Sequence, residues 1–320
     1  MAPNSTLAVT DCSPEVAAFR HDVLRGLAQA QKSLPSKWFY DHTGSRLFDA
    51  ICRLPEYYPT RTELGIMERH AEEMARYLGP RVGLVEYGSG SSLKTRILLR
   101  HLDDPAAYFP LDISYEHLAN SAAELAAEFP SLLVLPVCAD YTRPFALPQV
   151  PCARLDAYFP GSTIGNFLPH EARSFLWNAA ELVGPGGGML IGVDLWKDAA
   201  ILEPAYNDAA GVTAEFNLNL LHRINRELGG EFDLDNYEHR ALWNPEASRI
   251  EMHLFARREH RVRVDGETFY FRPGESILTE YSHKYRPEAF AHLAAGAGWQ
   301  VQRVWMDEAR LFSVQYLRAC

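Results

Sequence analysis

From Val82 onward, short apolar runs alternate with longer stretches in which apolar residues recur at helical spacing. This alternation is typical of parallel strands joined by crossover helices. The strands are expected at 83–86, 107–111, 132–137, 156–159 and 189–193. Helices are expected at 95–101, 115–128 and 171–182. The central part of the chain therefore predicts an α/β domain built on a parallel sheet.

The pattern changes after Asp194. A helical stretch at about 203–228 precedes alternating strands, one of which places the apolar residues of 250–254 on one face. Asp265-Gly266 predicts a hairpin turn. The chain then ends on a helix after residue 287 and two further strands, expected at 300–305 and 312–317.

The residues before the first strand are predicted to be largely helical. Ser13, Pro14 and Glu15 form a helix start, because Ser is a good N-cap and Pro is tolerated in the first turn. A helix is expected from there to about residue 31. Residues 33–62 are rich in aromatic residues and proline, which predicts an ordered but irregular segment, and a helix follows at about 63–78.

These elements predict an α/β domain that is interrupted by a second domain. The first domain is assigned to residues 61–194 and 286–320. The second, an α+β domain, is assigned to residues 8–60 and 195–285.

Composition and charge narrow the class of protein. The formal net charge of the 320-residue chain is −10 without any block of basic residues, which disfavours a nucleic acid as partner. No apolar run approaches the roughly 20 residues of a membrane span, and the N-terminus does not resemble a signal peptide. The five cysteines form no close pair and the histidines no metal-binding pair, so no metal site is predicted. We expect a cytoplasmic protein that acts on a small molecule.

The most informative local motif is the segment 85–92 (VEYGSGSS), in which a buried strand enters a glycine-rich turn and then a helix. Glycines are needed where the backbone turns tightly and approaches a ligand. Asp112 ends the next strand and could accept the two hydroxyls of a ribose. Asp140 and Tyr141 end the third strand and suit an adenine amine and its ring face. Each acid taken alone also fits a helix cap or a solvated turn.

A dinucleotide site is the first alternative for this loop. It is disfavoured because Leu93 stands where the dinucleotide fingerprint needs a third small residue. The glycine-rich turn at 184–188 and the closing pair of strands instead resemble a class I (Rossmann-like) methyltransferase. That resemblance implies S-adenosylmethionine as the methyl donor.

Four segments make the resemblance specific: residues 37–41 (KWFYD), 54–63 (LPEYYPTRTE), 161–166 (GSTIGN) and 206–208 (YND). They are similar to the histidine Nα-methyltransferases of ergothioneine biosynthesis, and the similarity covers essentially the whole chain. It implies three methylations of the α-amine of L-histidine, giving N,N,N-trimethylhistidine (hercynine), without a metal.

The resemblance also implies roles for individual residues. Tyr57 and Asn166 would hold the substrate amine, and Asn166 and Tyr206 its carboxylate. Glu280 and Ser282 would bond the imidazole nitrogens, with Phe48 and Met252 nearby. The positions that match the cofactor site of the family are Tyr40, Gly88, Lys94, Asp112, Asp140 and Tyr141.

The residues themselves support part of this assignment. Glu280 and Ser282 are two apart in an extended segment, so they point to one face, and an acid plus a hydroxyl can serve both nitrogens of an imidazole. A solvated polar face opposite Ile277, Thr279 and Tyr281 is the structural alternative. Two departures from the family pattern are Tyr141, where Phe is expected, and His283, where a smaller residue is expected.

Two functional alternatives remain at this stage. One is a methyltransferase of the same fold that acts on another amino acid or a small primary amine. The other is a non-catalytic S-adenosylmethionine-binding regulator, which the presence of Tyr57, Asn166 and Tyr206 disfavours. We expect a monomer, although no sequence feature bears on the oligomeric state.

Overall fold

The computed structural model describes residues 9–12, 16–90, 92–143 and 145–320. The chain divides into two units. Unit 1 contains the described residues 9–12, 61–195 and 285–320, and unit 2 contains 16–60 and 196–284. The predicted helix start at Ser13, Pro14 and Glu15 and the loop residue Ser91 lie outside the described residues.

The secondary structure alternates between strands and helices along most of the chain. The strands are β1 (Thr10–Cys12), β2 (Lys32–Ser33), β3 (Val82–Tyr87), β4 (Ala107–Asp112), β5 (Val137–Ala139), β6 (Arg154–Phe159), β7 (Gly188–Asp194), β8 (Tyr237–Asn244), β9 (Arg249–Ala256), β10 (His260–Val264), β11 (Glu267–Phe271), β12 (Ser276–His283), β13 (Trp299–Met306) and β14 (Phe312–Ala319). The helices are α1 (Val16–Leu27), α2 (His42–Ile51), α3 (Tyr58–Leu78), α4 (Leu93–Leu99), α5 (Tyr115–Glu128), α6 (Pro169–Val183), α7 (Ala199–Tyr206), α8 (Val212–Leu228) and α9 (Pro287–Ala295). Within the described residues, none of these helices is both long and apolar enough to cross a membrane.

Unit 1 is built on an eight-stranded sheet in the order β1-β5-β4-β3-β6-β7-β14-β13. Strands β3 to β7 run parallel, whereas β14 runs antiparallel to both β7 and β13. The predicted α/β class with a closing antiparallel pair is therefore confirmed. Because the parallel strands share one direction, their carboxyl ends meet at a single edge of the sheet, where ligands bind in such folds.

Apolar side chains cover both faces of this sheet. On one face, α6 and α9 contribute Phe175, Leu176 and Phe290 to a buried cluster. On the other face, α3 and α5 contribute Met67 and Leu125. Strand β3 is buried along its whole length because it lies between the two layers, which explains why its sequence is a continuous apolar run interrupted only by Gly83 and Glu86.

The segment that interrupts unit 1 leaves and re-enters the sheet at neighbouring positions. Leu195, after β7, forms a parallel bridge with Tyr285, and the Tyr285 N–H donates to the carbonyl of Asp194 over 3.0 Å. Leu195 itself donates to the carbonyl of Leu311 over 3.1 Å. The insertion 196–284 is thus anchored at both ends by backbone hydrogen bonds of unit 1.

Unit 2 contains a four-stranded sheet in the order β2-β12-β9-β8 and the two-stranded hairpin β10-β11. The hairpin turns at Asp265 and Gly266, as the sequence predicts, and both residues have positive φ. Helix α8 packs on β8 and β9 and also contacts α2. Its buried residues include Phe216 and Leu220.

A bulge in β12 changes which of its residues share a face. Ile277 pairs with Leu254 and Glu280 pairs with Met252, although Ile277 and Glu280 are an odd number of residues apart. The register shifts between Leu278 and Glu280, so Thr279 is the extra residue. Since directly opposed residues of an antiparallel pair lie on one face, Glu280 lies on the same face as Met252 and Ile277. Simple alternation, on which the solvated-face alternative depends, would have separated them.

Several predicted boundaries were wrong. Residues 10–12, assigned to the second domain, form the edge strand β1 of unit 1 beside β5. Strand β5 is shorter than 132–137 because Pro136 and Pro110, on the neighbouring strand, have no N–H and interrupt the ladder. Residues 203–228 form two helices instead of one.

The N-terminal region also differs from its prediction. Residues 33–62 contain helix α2, which begins where the Asp41 side chain accepts the Gly44 N–H over 2.7 Å. Helix α1 ends at Leu27, before residue 31, and α3 begins at Tyr58, before residue 63.

We expect the difference in free energy of unfolding between Glu86→Gln and wild type to shift in favour of the variant as pH rises from 5 to 8. Glu86 lies in β3, accepts hydrogen bonds from the hydroxyls of Thr95 and Tyr108, and is buried, which raises its pKa from 4.5 to about 8. Glu86 therefore keeps its proton in the folded protein, whereas it loses this proton above pH 4.5 in the unfolded chain. As a result, the contribution of Glu86 to the free energy of unfolding declines between pH 4.5 and about 8. Glutamine can accept the same two bonds and does not titrate.

Thermal unfolding of both proteins across this pH range measures the effect. Glu259→Gln, at an exposed position, serves as the control. A difference in Tm between Glu86→Gln and wild type that stays constant with pH would contradict the prediction.

Candidate active site

The glycine-rich turn after β3 is fixed against the end of β4. Gly88 and Gly90 have φ values of 73° and 48°, which favour glycine. The N–H groups of Gly88 and Ser89 both donate to the carbonyl of Leu111, over 2.9 and 3.0 Å. The turn therefore lies at the carboxyl edge of the sheet.

Asp112 connects this turn to the end of β4. One carboxylate oxygen accepts the Gly90 N–H over 3.2 Å and the other accepts the Ser114 N–H over 3.0 Å. Burial raises the pKa of Asp112, while these two hydrogen bonds act in the opposite direction. A carboxylate has about four acceptor positions, so Asp112 can also accept hydrogen bonds from a ligand such as a ribose diol.

Asp140 and Tyr141 follow β5 at the same edge. Asp140 accepts hydrogen bonds from the backbone and the hydroxyl of Thr142. The ring of Tyr141 packs edge-on against Tyr87 with the centroids 5.7 Å apart, and a Cβ added at Gly88 would lie 4.0 Å from its hydroxyl. Burial raises the pKa of the Tyr141 phenol, so the phenol is neutral. The structure thus brings Gly88, Asp112, Asp140 and Tyr141 together.

Lys94 reaches the end of β6 through a buried acid that the sequence analysis missed. Its ammonium pairs with the carboxylate of Glu63 on α3, and that carboxylate accepts the Gly161 N–H over 3.0 Å. A Cβ added at Gly161 would lie 3.5 Å from the Lys94 nitrogen. Glu63 belongs to the segment 54–63 that carries the family resemblance, so a signal for it was present.

One further polar group at the turn also escaped prediction. The hydroxyl of Ser89 is buried, and no hydrogen-bond partner for it is found among the described residues. A buried hydroxyl of this kind fits a site where a polar ligand completes the hydrogen bonding. Together with the acceptor capacity of Asp112, this makes the turn suited to a polar ligand that carries hydroxyl groups. The described part of the chain contains no cluster of three or more His, Cys, Asp or Glu side chains that could hold a metal ion.

Asn166 lies in unit 1, in a short 3-10 helix (Thr163–Asn166) after β6. Ser162, which precedes this helix, has a positive φ of 57°, and its hydroxyl accepts the Asp194 N–H over 2.8 Å. Asn166 is therefore carried by a segment tied to the carboxyl end of β7.

Unit 2 brings four of the predicted aromatic residues into one cluster: Tyr40, Phe48, Tyr57 and Tyr206. The ring centroids are 5.6 Å apart for Tyr40 and Phe48, 6.4 Å for Phe48 and Tyr57, and 6.1 Å for Tyr57 and Tyr206. Burial raises the pKa of the Tyr57 phenol well above its usual value, and Tyr206 and Glu280 add to this effect. Tyr40 was predicted to bind the cofactor, but it lies in a different unit from Gly88, Lys94, Asp112, Asp140 and Tyr141.

Glu280 and Met252 lie opposite each other on β12 and β9. Burial raises the pKa of Glu280 from 4.5 to about 7, and the positive charge of Lys284 opposes this shift. Ser282 pairs with Ile250, two residues from Met252, so its side chain is on the same face as Glu280.

Ser282 and Tyr206 are held by a lysine that was not predicted. Their hydroxyl oxygens are 2.8 Å apart, and the ammonium of Lys284 donates to both over 2.8 Å. Lys284 lies two residues after Ser282, as Ser282 lies two residues after Glu280. This spacing is the sequence signal that could have identified Lys284. The predicted imidazole ligands are therefore part of a larger polar network.

Comparison with known proteins shows the family to which this chain belongs. Residues 19–319 match the family described as histidine-specific methyltransferase, SAM-dependent. The histidine N-alpha-methyltransferase of Mycolicibacterium smegmatis is 45% identical over 93% of this chain and 94% of that protein. The protein of the same name from Mycobacterium tuberculosis is 44% identical over the same shares of the two chains.

A more distant relative is ergothioneine biosynthesis protein 1 of Neurospora crassa. It is 30% identical over 86% of this chain and 32% of that longer protein. The family match extends over nearly the whole chain and includes every candidate site residue of units 1 and 2. The chain therefore belongs to the family of histidine-specific, S-adenosylmethionine-dependent methyltransferases.

Proposed function

We propose that this protein transfers three methyl groups, one after another, from S-adenosylmethionine to the α-amine of L-histidine, giving N,N,N-trimethylhistidine. In this proposal, unit 1 binds the methyl donor at the turn formed by Gly88 and Gly90. Unit 2 binds the imidazole. The observation that carries the proposal is that Glu280 lies opposite Met252 and shares one face of β12 with the buried Ser282.

An imidazole needs partners for two nitrogens, and this face supplies two of different kinds. Glu280 offers an acceptor when ionised, and the hydroxyl of Ser282 can donate or accept. Met252 provides an apolar surface beside them. A side chain without two ring nitrogens would not make these two hydrogen bonds, which lowers its affinity relative to histidine.

Bound S-adenosylmethionine supplies an electrophilic methyl group, so the chain needs no covalent nucleophile. Its residues must orient the lone pair of the amine and keep water away. Asn166 and Tyr57 suit the amine because neither carries a charge that would favour the ammonium form. We assign the substrate carboxylate to Asn166 and Tyr206.

The aromatic cluster of unit 2 suits the product. A trimethylated amine is a permanent cation, and the faces of Phe48, Tyr57 and Tyr40 are favourable neighbours for a quaternary ammonium. The same rings are apolar enough to accept the amine when it is neutral.

We expect Tyr57→Phe to lower kcat for histidine by about tenfold while changing KM little, which corresponds to one hydrogen bond lost mainly in the transition state. The raised pKa of Tyr57 keeps its phenol neutral, so it positions the amine through its hydroxyl and does not act as a phenolate base. Steady-state kinetics with saturating S-adenosylmethionine measure the change. Tyr270→Phe, which removes the hydroxyl of an exposed tyrosine, is the control. An unchanged kcat would remove Tyr57 from this role.

The proposed function is tested by mass spectrometry of L-histidine incubated with the purified protein and S-adenosylmethionine. Products that carry one, two and three added methyl groups are expected. Other amino acids, including L-tryptophan and L-phenylalanine, are assayed in parallel. Methylation of another amino acid in preference to histidine would show that the substrate assignment is wrong while leaving the methyltransferase family unchanged.

A further inference from the structure

Three polar atoms in unit 2 form a closed triangle: the hydroxyl oxygens of Tyr206 and Ser282 and the side-chain nitrogen of Lys284. Each pair is 2.8 Å apart. All three residues are buried, and Lys284 is only 3% exposed. A lysine is rarely buried to this extent unless its charge is used, because removing an ammonium from water is costly.

The triangle restricts how its protons can point. The ammonium of Lys284 can only donate, so both hydroxyl oxygens accept from it. The remaining bond needs one hydroxyl proton, which either Tyr206 or Ser282 supplies. Lys284 thus fixes both hydroxyl oxygens as acceptors toward its ammonium.

The charge of Lys284 has a second consequence. The groups assigned to the substrate carboxylate, Asn166 and Tyr206, are both neutral. A carboxylate that is buried without a cation nearby is strongly disfavoured. Lys284 places a positive charge one hydrogen bond behind the Tyr206 hydroxyl, and it polarises that hydroxyl toward donation. Its ammonium also lies 4.8 Å from the centre of the Tyr206 ring.

We propose that Lys284 is a specificity-determining positioning residue that selects substrates carrying an α-carboxylate, by polarising the Tyr206 hydroxyl and supplying the compensating charge. This inference rests on the proposed function, because it takes histidine as the substrate. Lys284 acts through Tyr206 and need not touch the substrate itself.

The test compares L-histidine with histamine, which keeps the imidazole and the amine but lacks the carboxylate. The affinity of each is measured by calorimetry with protein saturated with S-adenosylhomocysteine, for wild type and for Lys284→Met. Loss of a charge-assisted interaction should lower the affinity of Lys284→Met for histidine by about 10-fold to 30-fold. Histamine should lose less affinity than histidine, because the effects of Lys284 on Ser282 and Glu280 are common to both ligands whereas only histidine carries the carboxylate.

Two further variants separate this role from general stability. Lys284→Arg keeps the charge and should recover part of the preference for histidine. Lys32→Met removes a lysine that pairs with Glu275 beside the other end of β12, and it should leave the histidine-to-histamine ratio unchanged. Thermal melts of all variants show whether they fold.

The results are distinguishable. Equal losses of affinity for histidine and histamine in Lys284→Met, or no loss in either, would overturn the role of Lys284 while wild-type methylation of histidine continued. If wild type failed to methylate histidine, the proposed function itself would fail and this inference with it.

Discussion

Replacing Asp112 with Ala is expected to weaken the binding of S-adenosylmethionine by about 100-fold to 1,000-fold, since two hydrogen bonds to an ionised group are lost. Asp112 is placed for this by its own partners: the N–H groups of Gly90 and Ser114 occupy one position on each carboxylate oxygen. The acceptor capacity not used by these groups is assigned to the ribose. The variant also loses the bond that fixes Gly90, which adds to the effect.

Calorimetric titration with S-adenosylmethionine or S-adenosylhomocysteine measures the loss. Asp112→Asn, which retains an acceptor and a similar volume, should lie between Ala and wild type. Asp104→Ala, at an exposed aspartate of the same unit that pairs with Arg81, is the matched control and should bind normally. Wild-type affinity in Asp112→Ala would show that the cofactor site lies elsewhere.

The second large effect is expected at Glu280. Glu280→Ala should raise the KM for L-histidine by about 100-fold, because an imidazole N–H would be buried without its charged partner. S-adenosylmethionine affinity should not change. Selectivity over other amino acids should fall in the same variant, which a panel of amino acids at fixed concentration would measure.

Glu280 should also set part of the pH profile. Its pKa is raised by burial to about 7, and the ionised form is the one that accepts an imidazole N–H. In wild type, kcat/KM for histidine should therefore increase as pH rises through about 7 and Glu280 loses its proton. Glu280→Gln cannot titrate, so that rise should disappear, while the increase due to deprotonation of the substrate amine at higher pH should remain.

Glu275, which directly precedes β12, provides the control for both measurements. Glu275→Ala breaks the ion pair with Lys32 near the start of β12 and should leave KM and the pH profile as in wild type. An unaltered KM in Glu280→Ala would exclude the carboxylate from imidazole recognition. A profile of Glu280→Gln that coincides with wild type would assign the pH dependence to another group.

Much of unit 1 could be predicted from sequence because its strands are buried on both faces and read as apolar runs. The start of β5 could not be predicted, since the effect of Pro136 depends on Pro110 of the neighbouring strand, and only the register brings the two together. Helix α2 was not predicted from the sequence, for a different reason. Its residues lie among aromatics and prolines, and its start depends on the single Asp41 cap.

Placement at the carboxyl edge of the sheet could be predicted for Asp112, Asp140 and Tyr141, because it follows from the position of each residue at or just after the end of a strand. Glu63 and Lys284 were missed because their roles come from partners far away in sequence, Gly161 in one case and Tyr206 in the other. Likewise, the bulge at Thr279 puts Glu280 on the face of Ile277, and no alternation rule would place them together.

The bridge between Leu195 and Tyr285 has a consequence for how such an enzyme can diverge. Because the segment 196–284 enters and leaves at adjacent backbone positions, changes in its length or sequence need not disturb the pairing of β7 with β14. Natural selection can therefore alter the residues proposed to recognise the imidazole, Met252, Glu280 and Ser282, while the unit 1 residues proposed to bind the donor are inherited unchanged. The same two positions are where an engineer would join a segment from a relative to exchange one acceptor preference for another.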